Sequence, residues 1–155
     1  MLNEKPLAHC LHEFMVDAQL MLTKSQECLQ HLELIGNDPD ASECMASTLN
    51  TLATWAQACS LGTIAGFCHQ IIFLLNLAAP LNRLHGDALK SLNNCLTLLA
   101  WQLELIDPRT GQLSLDESEQ LALIDELADT LGLDDLRLIS HPQDHHAHAS
   151  VSARS

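Results

Sequence analysis

The chain has 155 residues, enough for one domain with its own core and a tail. Hydrophobic residues make up 47% and charged residues 17%, which excludes a disordered chain. The formal net charge of −13 excludes nucleic-acid phosphates and an anionic membrane as natural partners, and favours a basic patch on a protein.

Aromatic residues are only 3% and tyrosine is absent. The core must therefore come from Leu, Ala, Ile and Met, and Leu and Ala are strong helix formers. The first helix is predicted from about Pro6 to Ile35. Leu7, Leu11, Phe14, Ala18, Met21, Leu22, Leu29 and Leu32 recur at three- and four-residue steps on one stripe. Pro6 suits a first turn, and Gly36 with Asn37 suits a C-cap. A second helix starts near Asp38 to Asp40, where two acids complement the helix dipole, and reaches about Cys59. Met45, Leu49, Leu52 and Ala56 share its apolar face, and Gly62 breaks the pattern.

The third helix is predicted from about Thr63 to Ala78. Ile64, Phe67, Cys68, Ile71, Ile72, Leu74 and Leu75 make it apolar nearly all round, so neighbours must bury it on several sides or a partner must cover it. Pro80 ends it. A fourth runs from about Asn82 to Ile106, with Leu84, Ala88, Leu92, Cys95, Leu96, Leu99 and Leu103 on its face. Asp107 to Gly111 reads as a turn. Ser114, Leu115, Asp116 and Glu117 match a capping box ahead of Leu121, Ile124, Leu127 and Leu131, which gives a fifth helix ending near Gly132. Five helices with short connections imply an all-α fold, an antiparallel four-helix bundle over residues 6–133 with a flanking C-terminal helix. The polar tail, 134–155, carries His141, His145, His146 and His148 and reads as disordered. No internal repeat is present.

Cys10, Cys28, Cys44, Cys59, Cys68 and Cys95 are spread through apolar patterns without a CxxC pair. The expectation is six reduced thiols serving as small core residues in a cytoplasmic protein. The N-terminal residues show no apolar run after a basic start, so no signal peptide is expected. No run reaches the roughly 18 apolar residues of a membrane span; the longest, Ile71 to Ala79, stops at Pro80.

Phe14 precedes Asp17-Ala18 on the first helix, Asn50-Thr51-Leu52-Ala53-Thr54 lies on the second and His69 on the third, and with this set the chain resembles the histidine-phosphotransfer (Hpt) domains of chemotaxis-type kinases. Phe14 followed by Asp17-Ala18 is similar to that family's first-helix element. Asn50-Thr51-Leu52-Ala53-Thr54 falls where its His-Thr-Leu/Ile-Lys-Gly signature belongs, and His69, 19 residues after Asn50, falls where its second histidine belongs. The resemblance spans about Leu11 to Leu131, and it implies a helical bundle that exchanges phosphoryl groups with receiver domains. The departures carry the functional reading. Asn50 stands at the phospho-accepting position, and a carboxamide has no basic nitrogen to form a phosphoramidate. Ala53 replaces the lysine, Thr54 the access glycine and Ser47 an often basic residue, while Trp55 adds bulk and Ile72 replaces a glutamate. The resemblance thus implies a pseudo-Hpt module, not an enzyme and without cofactor. It would offer Ser47, Asn50, Thr51, Ala53, Thr54, Trp55 and His69 to a response-regulator receiver domain, a histidine kinase or another Hpt-like protein.

Other chemistry is weaker. His69, between Cys68 and Gln70, reads first as a core or interface histidine, with active phosphotransfer through it as an alternative. His9 and His12 share a helix face beside Cys10 and Glu13, but sequence supplies no further ligands, so no metal site is expected; a metal-binding bundle stays a further alternative. The tail histidines would bind nickel, copper or zinc adventitiously. GxxxxGK[ST], HExxH and GxSxG are absent. Trp55 and Trp101 are the two tryptophans, and Trp55, beside the Asn50 position, is read equally as an interface anchor or a core residue. The apolar third helix leaves a homo-oligomer open.

Overall fold

The structure, a computed structural model, describes residues 4–107, 109–110 and 117–133, with side chains described from Cys10 onward. Among the described residues there are five helices and no strand: α1 Glu4–Ile35, α2 Pro39–Ala58, α3 Gly62–Ala78, α4 Asp87–Leu105 and α5 Ser118–Thr130. A 3₁₀ turn, Ala79–Leu81, follows α3. The all-α expectation holds. The tail expectation lies outside the described residues.

The connections explain the boundaries. α1 ends where Gly36 and Asn37 take left-handed φ of 69° and 54°, and the Gly36 N–H closes on the Leu32 carbonyl at 2.7 Å. Asp38 caps α2 by accepting the Asp40 N–H at 3.1 Å, with Pro39 beginning the first turn. α2 ends at a left-handed Ser60, so Gly62 opens α3 where a mere break was expected.

The fourth helix starts five residues later than predicted. Asn82 and Gly86 both hold left-handed φ, which a right-handed helix cannot include. The chain between them is tied back across the molecule. The Leu84 N–H donates to Asn37 Oδ1 at 2.8 Å, and the Asn37 N–H donates to the Leu84 carbonyl at 3.2 Å. Arg83 Nη1 donates to the Leu131 carbonyl at 3.1 Å and to that of Gly132, filling the end of α5. In the turn after α4, Asp107 Oδ1 accepts the Arg109 N–H at 2.9 Å. The expected capping box falls largely outside the described residues. Glu117 flanks α5 without a side-chain cap, and its carboxylate accepts the Thr63 hydroxyl at 3.4 Å instead.

α1 lies along α2 on one side and α4 on another; α2 also packs on α3, and α4 on α5, while α3 touches α4 and α5 more lightly. Phe14, Leu32, Met45, Leu49, Leu52, Phe67 and Leu75 are fully buried in one core that draws on all five helices. Each such side chain contributes about 1.5–3 kcal/mol on leaving water.

Two sequence expectations need correction. Cys10 and Cys59 form a disulfide with Cα atoms 6.1 Å apart, while Cys28, Cys44, Cys68 and Cys95 are free. The antiparallel α1–α2 pair brings its first and last turns to one level, and that separation suits a disulfide. Second, the helical stretch Gly62–Leu81 is long and apolar enough by composition to cross a membrane, with a mean hydropathy of 1.7. Thr63, Gly66, His69, Gln70 and Asn76 interrupt the strictly apolar run without lowering the average enough. In this fold 44% of its apolar window is buried within the chain.

Leu49→Ala is expected to lower the unfolding free energy by about 2–5 kcal/mol, through lost burial and a residual cavity. Cys10→Ser is expected to lower it by about 2–4 kcal/mol, because the unfolded chain regains the freedom of a long loop. Urea unfolding of the oxidised protein checks both.

Candidate interaction face on α2 and α3

On α2, Ser47, Asn50, Thr51 and Thr54 are exposed, and their spacing of three, four and seven residues makes one stripe. On α3, Gly66, His69, Gln70 and Phe73 are exposed with the same spacing. The two helices are adjacent and joined by a three-residue connection, so the stripes adjoin on the outside of one hairpin. Phe73 is 47% exposed and supplies the apolar element of this face. The Thr51 and Thr54 hydroxyls donate back to the carbonyls of Ser47 and Asn50 at 3.2 and 2.9 Å. Their methyl groups are therefore turned out with fixed rotamers.

The electrostatics of this face are set by what it lacks. From Cys44 to Asn82 the sequence contains no Asp, Glu, Lys or Arg, although the whole chain carries −13. Outside that run, Asp40 and Glu43 are exposed at the start of α2, Glu43 one turn before Ser47, and the remaining acids lie elsewhere in the chain. This run is the signal that points to Gly66, Gln70 and Phe73, which motif reasoning missed.

The structure divides the predicted site residues. Ser47, Asn50, Thr51 and Thr54 come together at the surface. Ala53 does not: it is completely buried, because Met45, Leu49, Leu52, Ala53 and Ala56 form the inward face of α2. A lysine in the Hpt manner would point into the core here. Trp55 and Ile72 are half-buried against the core, between the two roles considered for the tryptophan. His69 is exposed, which removes the core half of the core-or-interface expectation. Cys68 and Ile71 turn inward and leave it on the outer stripe. Trp101 is 65% exposed on α4.

Two clefts are present, one away from this face and one bordering it at Gly66 and Gln70. One, of about 360 Å³, opens between α1 and α2 near their turn and is lined by Lys24, Cys28, His31, Asp38, Asp40 and Cys44. His31 Nε2 lies 3.7 Å from Asp38 Oδ2 there. The other, of about 340 Å³, lies between the first turns of α3 and α5 and includes Thr63, Gly66, Gln70, Glu117 and Gln120. Among the described residues no group of three His, Cys, Asp or Glu side chains is placed to hold a metal. His12 is exposed, whereas the His9 side chain and the tail histidines lie outside the described residues.

The chain matches no family model, no curated protein and no solved structure.

Burial pushes the Cys68 and Cys95 thiols from 9.0 up to about 12. Their folded values lie above the unfolded ones, so their contribution is fully present below about pH 9 and is lost as pH rises towards 12. Urea midpoints should fall across that window, and a Cys68→Ala, Cys95→Ala double variant should show a flatter decline. Separately, Ala53→Lys should cost about 3–5 kcal/mol by burying an unpaired ammonium, while Thr54→Lys should stay within about 0.5 kcal/mol. Thermal unfolding of both variants checks the orientation of α2.

Proposed function

We propose that the chain is a non-catalytic, Hpt-like interaction module of bacterial two-component or chemotaxis-like signalling. It docks a response-regulator receiver domain through the α2–α3 face centred on Asn50, with a histidine kinase or another Hpt-like protein as the other partners of that class. In this reading α1 to α4 form an antiparallel four-helix bundle and α5 flanks it. Asn50 holds the place of the phospho-accepting histidine and forms no phosphoramidate, so docking competes with or scaffolds phosphotransfer. A cytoplasmic location goes with such partners. The Cys10–Cys59 disulfide weighs against it, since reducing compartments keep most thiols free.

The observation that carries the proposal is the pair of exposed stripes whose own residues carry no charge, with Glu43 and Glu117 at their margins. Interface cores are depleted of charged residues, while the remaining acidic surface steers association from a distance. Ser47, Asn50, Thr51, Thr54, Gly66 and Gln70 offer small groups that permit close approach, and Phe73 offers an anchor.

A second reading has one observation in its favour. His69 is exposed and lies on the same face, so it is open to a phosphorylated receiver. The absence of any Lys or Arg between residues 44 and 82 leaves a phosphohistidine there without a neighbouring cation from the hairpin, which argues against it.

The test mixes a phosphorylated receiver with the wild type, Asn50→His and His69→Gln, and reads acid-labile phosphate beside binding. The pseudo-Hpt reading expects binding without phosphate on the wild type, and binding weakened about tenfold or more by Phe73→Glu. Phosphate on the wild type that His69→Gln removes would establish the second reading. No binding to receivers or kinases would remove both.

A further inference from the structure

The cleft between α1 and α2 holds two thiols that neither the disulfide nor the proposed docking face uses. Cys28 stands 18 residues after Cys10 on α1, and Cys44 stands 15 residues before Cys59 on α2. At 1.5 Å per residue these are displacements of about 27 and 22 Å along antiparallel neighbours, measured from the same bridge. The two cysteines thus occupy a second rung of the ladder whose first rung is already covalent. Both line the 360 Å³ cleft, and Cys44 is close enough to be among the groups that raise the Cys28 thiol. Cys28 is 8% exposed, whereas Cys44 is half-exposed.

We propose that Cys28 and Cys44 are a dithiol modification site that closes into a second α1–α2 disulfide by exchange with a low-molecular-weight disulfide such as oxidised glutathione. The half-exposed Cys44 reacts first. Its thiolate attacks one sulfur of the small disulfide, the S–S bond breaks, and one thiol leaves with a proton from solvent. Cys28 then gives up its proton and attacks the Cys44 sulfur of the mixed disulfide, releasing the second small thiol. Two protein thiols are oxidised and one small disulfide is reduced to two thiols, so atoms and electrons balance. Burial, and then the contact with Cys44, hold the Cys28 thiol up to about 12, which keeps it protonated until Cys44 has been engaged. The open cleft beside Cys44 carries Lys24 with Glu27, Asp38 and Asp40 on its walls, so the ammonium groups of a small disulfide meet carboxylates there and one of its carboxylates can meet Lys24. Once closed, the bridge spans the turn at Gly36 and Asn37, and the two bridges bracket the part of α2 that carries Asn50.

The full chain, reduced and then equilibrated in glutathione buffers of increasing oxidised fraction, is quenched with acid, alkylated and cleaved after glutamate. Glu33 and Glu43 lie between the two cysteines, so cleavage separates them unless they are joined. The expected product is a Cys28–Cys44 cross-linked peptide pair lighter by two hydrogens. Its formation should raise the melting temperature by roughly 5–10 °C beyond the Cys10–Cys59 form. Cys28→Ser should stop at a glutathione adduct on Cys44, and Cys44→Ser should take no adduct on Cys28. Recovery of Cys28 and Cys44 as separately alkylated thiols, in buffers that fully oxidise Cys10–Cys59, would overturn the proposal. The wild-type map alone decides this even where a variant does not fold.

Discussion

The seam between α1 and α2 is the constraint on which the rest of the molecule depends. It is the longest helix pairing in the chain and is closed covalently at one end by Cys10–Cys59. At its other end the turn at Gly36 and Asn37 is held by a reciprocal pair of hydrogen bonds with Leu84. That pair joins the α1–α2 turn to the segment leading into α4. The first hairpin therefore fixes where α4 begins, and α4 in turn gives α5 its seat. Through the Arg83 guanidinium, the segment that receives Asn37 also receives the end of α5. One connection of about five residues thus serves two distant helix ends.

This arrangement explains the division of labour on α2. Its inward face needs an unbroken row of small and medium apolar side chains to sit between α1 and α3, and Ala53 belongs to that row. The outward face is free of packing duties, so its composition reflects solvent or a partner. In a chain this acidic, exposed positions from Ser47 to Phe73 without a single formal charge are not the default outcome of solvation. The same applies to α3, where Gly66 and Gln70 interrupt a helix whose other positions are almost all apolar. In the reading proposed above, the two stripes are retained for contact, and the chemistry once associated with such a face is gone.

Much of the fold is legible in the sequence because helical periodicity is strong. The limits of the first three helices follow from the spacing of leucines and the caps at Asn37 and Asp38. The start of α4 is not legible, since Leu84 continues the apolar rhythm while Asn82 and Gly86 turn the backbone left-handed. The disulfide is hidden for a different reason: pairing depends on which turns of two long helices come level, and spacing along the chain does not encode that. At the candidate site, Asn50 and its threonines are reached through the resemblance. His69 stands between a core and an interface reading because its apolar neighbours, adjacent in sequence, lie about 100° away around the helix. Ala53 was obscured by its own size, alanine being at home on either face.

The threonines of α2 carry one more implication. Their hydroxyls are already committed to the backbone, and the exposed positions beside them are Ser47, Asn50, Gly66, His69, Gln70 and Phe73, with the nearest glutamate, Glu43, one turn before Ser47. A surface of this kind has little rotamer freedom to surrender when it is covered. It is pre-organised in the sense that its shape in solution is already close to its shape in contact. Such a hairpin can reach a useful affinity over a small footprint, and can let go quickly, because little motion has to be frozen on arrival or released on departure.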